Sequence, residues 1–146
     1  MNENKDKRTL LIYKLKGNQK KLVSYVETIK AGFPSPADDY YESHLDLNEL
    51  LIKNKASTFF AKVSGNSMEK AGISDGDILI IDRSIEPSDG KIAVCFIDGE
   101  FTLKRLHIKN NECYLMPEND NYKPIKITPE NEFIIWGIVT YVIKKL

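Results

Sequence analysis

Residues 91–108 read Lys-Ile-Ala-Val-Cys-Phe-Ile-Asp-Gly-Glu-Phe-Thr-Leu-Lys-Arg-Leu-His-Ile. Two runs rich in apolar residues, 91–97 and 100–108, flank Asp98-Gly99. Asp-Gly tolerates the positive backbone angles of a two-residue hairpin turn, so the stretch predicts two antiparallel strands joined by a tight reversal. The signal repeats outward. Residues 58–63 predict a strand, and residues 77–81 predict a buried strand after the Asp75-Gly76 turn. Residues 113–116, 123–127 and 133–143 continue the series. Many short strands at close spacing predict a mainly β fold of compact antiparallel strands. Between 40 and 55 a short helix or turn is expected, with 46–52 as its helical piece.

Upstream the character changes. Residues 1–31 mix Lys-rich segments with short apolar pieces such as Leu10-Leu11-Ile12, and Leu22, Val23 and Val26 can line a weak helical face. The segment is too short for an independent core and is expected to be a flexible arm that docks on the body. Residues 32–39 read Gly-Phe-Pro-Ser-Pro-Ala-Asp-Asp. Each proline drives the residue before it, Phe33 or Ser35, to an extended backbone, and Gly32 adds freedom just ahead. By composition alone, an exposed, extended joint of this kind favours a plain linker, though it is also the kind of segment that a protease cleft accepts.

Charge and composition bound the function classes. The chain has 146 residues, 42% hydrophobic and 29% charged, with a formal net charge of zero. That suits one domain and argues against a general nucleic-acid binder. The charge is uneven: residues 1–31 carry a net of +5 and residues 32–146 a net of −5. Cys95 and Cys113 are the only cysteines. They suggest no disulfide framework, and a cytoplasmic protein is expected. Cys95 sits in an apolar run and is expected in the core. His44 and His107 are too isolated for a metal site, and no cofactor is expected. The polar start gives no secretory signal. The longest apolar stretch, Phe133–Ile143, falls well short of the roughly 20 residues of a membrane helix.

Chemistry could reside in Ser64-Gly65-Asn66-Ser67-Met68, which follows a strand and enters a possible helix over 68–71. A serine at such a junction can present its hydroxyl beside converging backbone N–H groups that would stabilise an oxyanion. Small polar residues beside glycine are also ordinary turn formers. The hydroxyl would need a base. Neither histidine offers a persuasive triad, whereas lysine can replace histidine if burial lowers its usual pKa of about 10.4. Among eighteen lysines, Lys104 lies mid-strand in Phe101-Thr102-Leu103-Lys104-Arg105-Leu106. An outward-facing strand lysine would give the same local sequence. Arg105 cannot act as a base, because a guanidinium stays charged.

Several blocks together carry a resemblance. They are Ala31-Gly32-Phe33-Pro34-Ser35-Pro36; Asp46-Leu47-Asn48-Glu49-Leu50-Leu51-Ile52; Ser64-Gly65-Asn66-Ser67-Met68 with Gly72-Ile73-Ser74-Asp75-Gly76-Asp77; and Asp98-Gly99-Glu100-Phe101-Thr102-Leu103-Lys104. In this order, and with 37 residues from Ser67 to Lys104, the chain resembles the UmuD/LexA family of self-cleaving Ser-Lys proteases over about residues 31–143. The resemblance implies a LexA/signal-peptidase-like β fold, Ser67 as nucleophile and Lys104 as general base. It implies Ala31-Gly32 as the scissile bond and the backbone amides of Asn66 and Ser67 as the oxyanion hole. The Asn66 slot varies in the family, so its side chain is assigned no chemistry.

The same resemblance implies a division into an arm, 1–31, removed by self-cleavage, and a protease and dimerisation domain, 32–146. The implied role is in SOS mutagenesis. A RecA filament on single-stranded DNA promotes cleavage, and the product forms a homodimer that joins a UmuC-type Y-family DNA polymerase. Neither membrane association nor direct sequence-specific DNA binding is expected. Three rivals stand beside this reading. A LexA-like or phage-repressor-type transcriptional regulator would need a helix-turn-helix, for which 31 residues are expected to be too few. A signal peptidase would need a membrane anchor. An inactive dimerisation subunit would not need the Ser67, Lys104 and Ala31-Gly32 set.

Overall fold

The computed structural model describes residues 11–14, 23–26, 31–32 and 42–146. They fall into two units: 11–14 with 54–146, and 23–26 with 31–32 and 42–53.

The first unit is built on one antiparallel sheet. Its strands are β1 (Leu11–Lys14), β4 (Thr58–Lys62), β5 (Ile78–Asp82), β6 (Ile92–Ile97), β7 (Glu100–Lys109), β8 (Glu112–Met116), β9 (Ile125–Lys126) and β10 (Phe133–Ile143). Their order across the sheet is β1-β4-β5-β10-β6-β7-β8-β9. The mainly β, antiparallel expectation therefore holds. The β6–β7 hairpin turns where the sequence places it, with φ of 48° at Asp98 and 87° at Gly99. Two successive positive angles match the twist of the flanking strands. A second hairpin, β7 to β8, uses Asn110 (φ 52°) and Asn111 (φ 60°) in the same way.

The long central strand β10 pairs with β5 along one edge and with β6 along the other. Its register shifts on the β6 side between Ile135 and Gly137 and on the β5 side between Val139 and Tyr141. Such irregularities bend a strand and sharpen its twist. A Cβ at Gly137 would lie 2.5 Å from Ile81 Cγ2, so the bend lets two strands approach where only glycine fits.

Both faces of the sheet centre are covered. Ala61, Met68, Ile73, Leu79, Ile81, Val94 and Leu103 form one buried cluster. Ala93, Cys95, Leu106, Leu115 and Ile138 form a second. Neighbours in β6 thus divide between the clusters, which is why that strand is apolar without alternation. Cys95 is fully buried, as expected. A chain of edge-to-face rings links Phe59 to Trp136 (5.1 Å), Trp136 to Phe101 (6.2 Å) and Phe101 to Phe96 (5.5 Å). Arg83 lies 4.6 Å from the centre of the Trp136 ring.

In the second unit, β2 (Val23–Val26) pairs with β3 (Glu42–Leu45). This corrects the helical face expected at Val23 and Val26. Two valines and a tyrosine within four residues favour an extended backbone. Residue 22 lies outside the described residues. The helix α1 (Leu47–Leu51) follows, and the Asp46 carboxylate accepts from Asn48 N at 2.9 Å at its start. No helix among the described residues is long and apolar enough to cross a membrane.

Candidate active site

The segment between β4 and β5 is a loop closed on itself. Val63 N donates to Asp77 O and Gly76 N to Val63 O, both at 2.8 Å. Gly65 N donates to Asp75 Oδ1 at 2.7 Å. The Asp77 carboxylate accepts from Ser74 N at 2.8 Å and from Lys144 Nζ at 2.6 Å. Burial alone would push the Asp77 carboxyl up, but the Lys144 and Ser74 bonds outweigh it and hold the group below its ordinary value. Gly65 (φ 98°) permits the reversal that lifts Ser67 from the end of the strand. The short 3-10 turn Glu69–Ala71 follows, shorter than the helix expected over 68–71.

Lys104 reaches Ser67 from the adjoining hairpin. Side chains alternate along β7, so Lys104 shares a face with Thr102 and Leu106. Directly opposite on β6 stands Ala93, whose small side chain leaves room for the lysine stem. Lys104 is 7% exposed, and its Nζ lies 3.3 Å from Ser67 Oγ, 2.8 Å from Thr102 Oγ1 and 3.0 Å from Leu103 O. Burial pushes its pKa down from the usual lysine range. The Cys95 thiol, itself pushed up to about 12 chiefly by burial, opposes that shift and is outweighed.

A neutral amine has two N–H donors and one lone pair. Thr102 Oγ1 and Leu103 O take the two donors, which leaves the lone pair for the Ser67 hydroxyl proton. The arrangement is chemically that of a base beside a nucleophile. Both groups open into a cleft of about 200 Å³ lined by apolar Val63, Met68, Phe101 and Leu103 and by polar Asn66 and Tyr122.

The segment after β8 holds the serine loop from outside. Glu118 N donates to Ser67 O and Lys70 N to Glu118 O, both at 2.8 Å. Asn119 Nδ2 donates to Asn66 O at 2.8 Å, and Tyr122 Oη to Asn66 Oδ1 at 2.7 Å. Glu118 is in turn paired with Arg105. With the carbonyls of Asn66 and Ser67 both held, the peptide planes on either side of Ser67 have fixed orientations. Sequence reasoning missed this support. Thr102 was findable, two residues before Lys104 on the same strand face. Glu118, Asn119 and Tyr122 lie about fifty residues from Ser67, and no local pattern ties them to it.

His107 lies 3.3 Å from an Asp89 carboxylate oxygen on an exposed part of β7. In the second unit, His44 is exposed, and so are Ala31 and Gly32. A Cβ at Gly32 would meet no atom within 4 Å.

With this geometry in place, similarity to known proteins becomes informative. The family model described as Peptidase S24-like matches residues 21–140. The chain belongs to this family. S24 peptidases are self-cleaving serine peptidases. Among its relatives, protein MucA of Salmonella typhimurium is 46% identical over 118 residues, 80% of each chain. Protein ImpA of Shigella flexneri is 45% identical over 121 residues, covering 83% of this chain and 82% of that protein. The LexA repressor of Actinobacillus pleuropneumoniae is 41% identical over 117 residues, 80% of this chain but 55% of that protein.

Proposed function

We propose that this S24 peptidase cuts its own Ala31–Gly32 bond with Ser67 as nucleophile and Lys104 as base. The observation that carries the reading is the buried amine of Lys104, 3.3 Å from Ser67 Oγ and satisfied on its other two positions. Neutral Lys104 takes the Ser67 hydroxyl proton as Oγ bonds to the Ala31 carbonyl carbon. The backbone N–H groups of Asn66 and Ser67 stabilise the oxyanion. On collapse the carbon–nitrogen bond breaks, and the Lys104 ammonium returns the proton to the Gly32 nitrogen. Lys104 next deprotonates a water, which hydrolyses the Ala31 ester and restores Ser67.

The exposure of Ala31 and Gly32 supports the bond assignment, since a cleft must take the chain in an extended, accessible form. Residues 33–40, which carry the Pro-rich joint, lie outside the described residues. The product of the cut is the body 32–146. MucA and ImpA are UmuD-like SOS mutagenesis proteins, which supports the same role here. In that role a RecA filament on single-stranded DNA promotes cleavage, and the body forms a homodimer that joins a UmuC-type Y-family polymerase in the cytoplasm. The repressor alternative has weaker support, because the LexA match is lower and spans little more than half of that protein.

The test is a cleavage time course from pH 7 to about pH 10, read by mass spectrometry. The product should begin at Gly32. The rate should rise with pH and level off below the free-lysine value of about 10.4, because burial lowers the Lys104 pKa. Lys104→Arg and Ser67→Ala should remain uncut throughout. Cleavage of Lys104→Arg at the wild-type rate would remove lysine from the mechanism. A product beginning elsewhere would overturn the bond assignment.

A further inference from the structure

The strand β1 (Leu11–Lys14) lies inside the segment that cleavage would sever, and it is the outermost strand of the sheet beyond β4. It pairs antiparallel with all of β4 except Thr58, in the register Leu11↔Lys62, Ile12↔Ala61, Tyr13↔Phe60 and Lys14↔Phe59. On its other side β4 pairs with β5. Whatever removes β1 therefore turns β4 into an edge strand with a row of unpaired N–H and C=O groups.

We propose that β1 is a removable cap, and that the β4 edge beneath it docks an extended strand of a partner protein once the cap is gone. The inference rests on the cleavage reading above. Before the cut, β1 is tethered and pairing is intramolecular. After it, β1 and β2, paired with β4 and β3, must hold on as parts of a separate peptide, without the high effective concentration that the tether supplied. The edge it leaves reads Thr-Phe-Phe-Ala-Lys over 58–62. Those residues favour strands, and only exposed Lys62 is of the kind that discourages edge pairing.

β1 shows what the edge accepts. The occupant is an extended run of at least four residues, apolar or aromatic in sequence and free of internal proline, paired antiparallel to β4. Main-chain bonds supply its affinity, as in other cases of strand addition. Thr58 and Ala61 are almost fully buried and Phe59 packs on Trp136. The strand that receives the partner is therefore held by the core behind it. One cut then both shortens the chain and uncovers an interface.

Two arms test the proposal. The first follows amide hydrogen exchange of residues 58–62 in the wild-type protein before and after self-cleavage. The second needs no cleavage. It uses the full chain carrying Ser67→Ala, with and without Ile12→Pro and Tyr13→Pro together. Adjacent strand residues face opposite edges, so the pair removes a ladder donor whichever residue faces β4. The probe is a synthetic peptide of residues 9–16, with a scrambled peptide as control.

Exchange at 58–62 should rise about tenfold or more when β1 is cut loose or broken. The probe should bind the cut and broken forms at least about tenfold tighter than the intact Ser67→Ala chain, and restore protection at 58–62. Unchanged exchange in both arms, or equal probe binding to intact and broken chains, would overturn the cap. Pairing of two broken chains through 58–62 would overturn the partner strand in favour of a second copy. If cleavage fails at Ala31–Gly32 while the proline variant still exposes the edge, the cleavage reading falls and the edge stands.

Discussion

Lys104 carries a cost at neutral pH that the rest of the fold offsets. Its ammonium form is disfavoured by burial, so its pKa is lower folded than unfolded. Between those two values unfolding takes up a proton, and stability rises with pH across that window. Below the window the lysine is charged in both states and the burial penalty is felt in full. Lys104→Met in the uncut Ser67→Ala background should therefore be more stable than its parent at pH 7, by on the order of 1–2 kcal/mol. The gain should shrink as pH approaches about 10.4. Denaturant titrations at the two pH values check this, and a gain independent of pH would sink it. Thr102→Val keeps the size of the side chain and removes one Lys104 partner. It should slow self-cleavage by about tenfold or more, and the Lys104 N–H left without its partner should cost about 1–3 kcal/mol of stability.

At the scale of elements, the Ser67 loop depends on Asp77, which binds Ser74 N and Lys144. Asp77→Ala leaves the Ser74 N–H without its partner and should cost about 1–3 kcal/mol near neutral pH. The folded carboxyl sits below its ordinary value, so its ionised form stabilises the fold above that value. The contribution disappears as pH falls through the folded value. Wild type and variant should therefore converge in acid, and parallel stability curves would refute the assignment. In β10, Gly137→Ala must displace Ile81 or the strand itself and should cost about 1–3 kcal/mol in a thermal or urea melt.

The elements also show what the sequence could reveal. Asp98-Gly99 was legible because a two-residue turn has strict local chemistry. Asn110-Asn111 follows the same rule and was overlooked, because asparagine is a weaker cue for a positive φ than glycine. Val23 and Val26 suggested a helical face by spacing, while their β-branching and pairing with β3 decided for a strand. Ser67 and Lys104 were singled out by residue type and resemblance. Their meeting across 37 residues comes from sheet topology, as does the hold of Glu118 on Ser67.

For the whole molecule, charge would separate the two products of the proposed cut at Ala31–Gly32. Residues 1–31 carry +5 and residues 32–146 carry −5. The cut body lacks a basic footprint and should show no tight, salt-sensitive binding to DNA in titrations at low and moderate salt. Tight binding that weakens steeply with salt would contradict a purely protein-directed role. The indole of Trp136 adds something of practical use. It is the only tryptophan in the sequence, and it sits between Phe59 of the capped strand and Phe101 in the cleft wall, with Arg83 against its face. Its fluorescence thus belongs to one position that touches both places where the chain is expected to change. Departure of β1 and entry of a peptide beside Ser67 would each disturb a ring neighbour of this single emitter, so the protein carries a built-in optical probe that follows the proposed processing without a label.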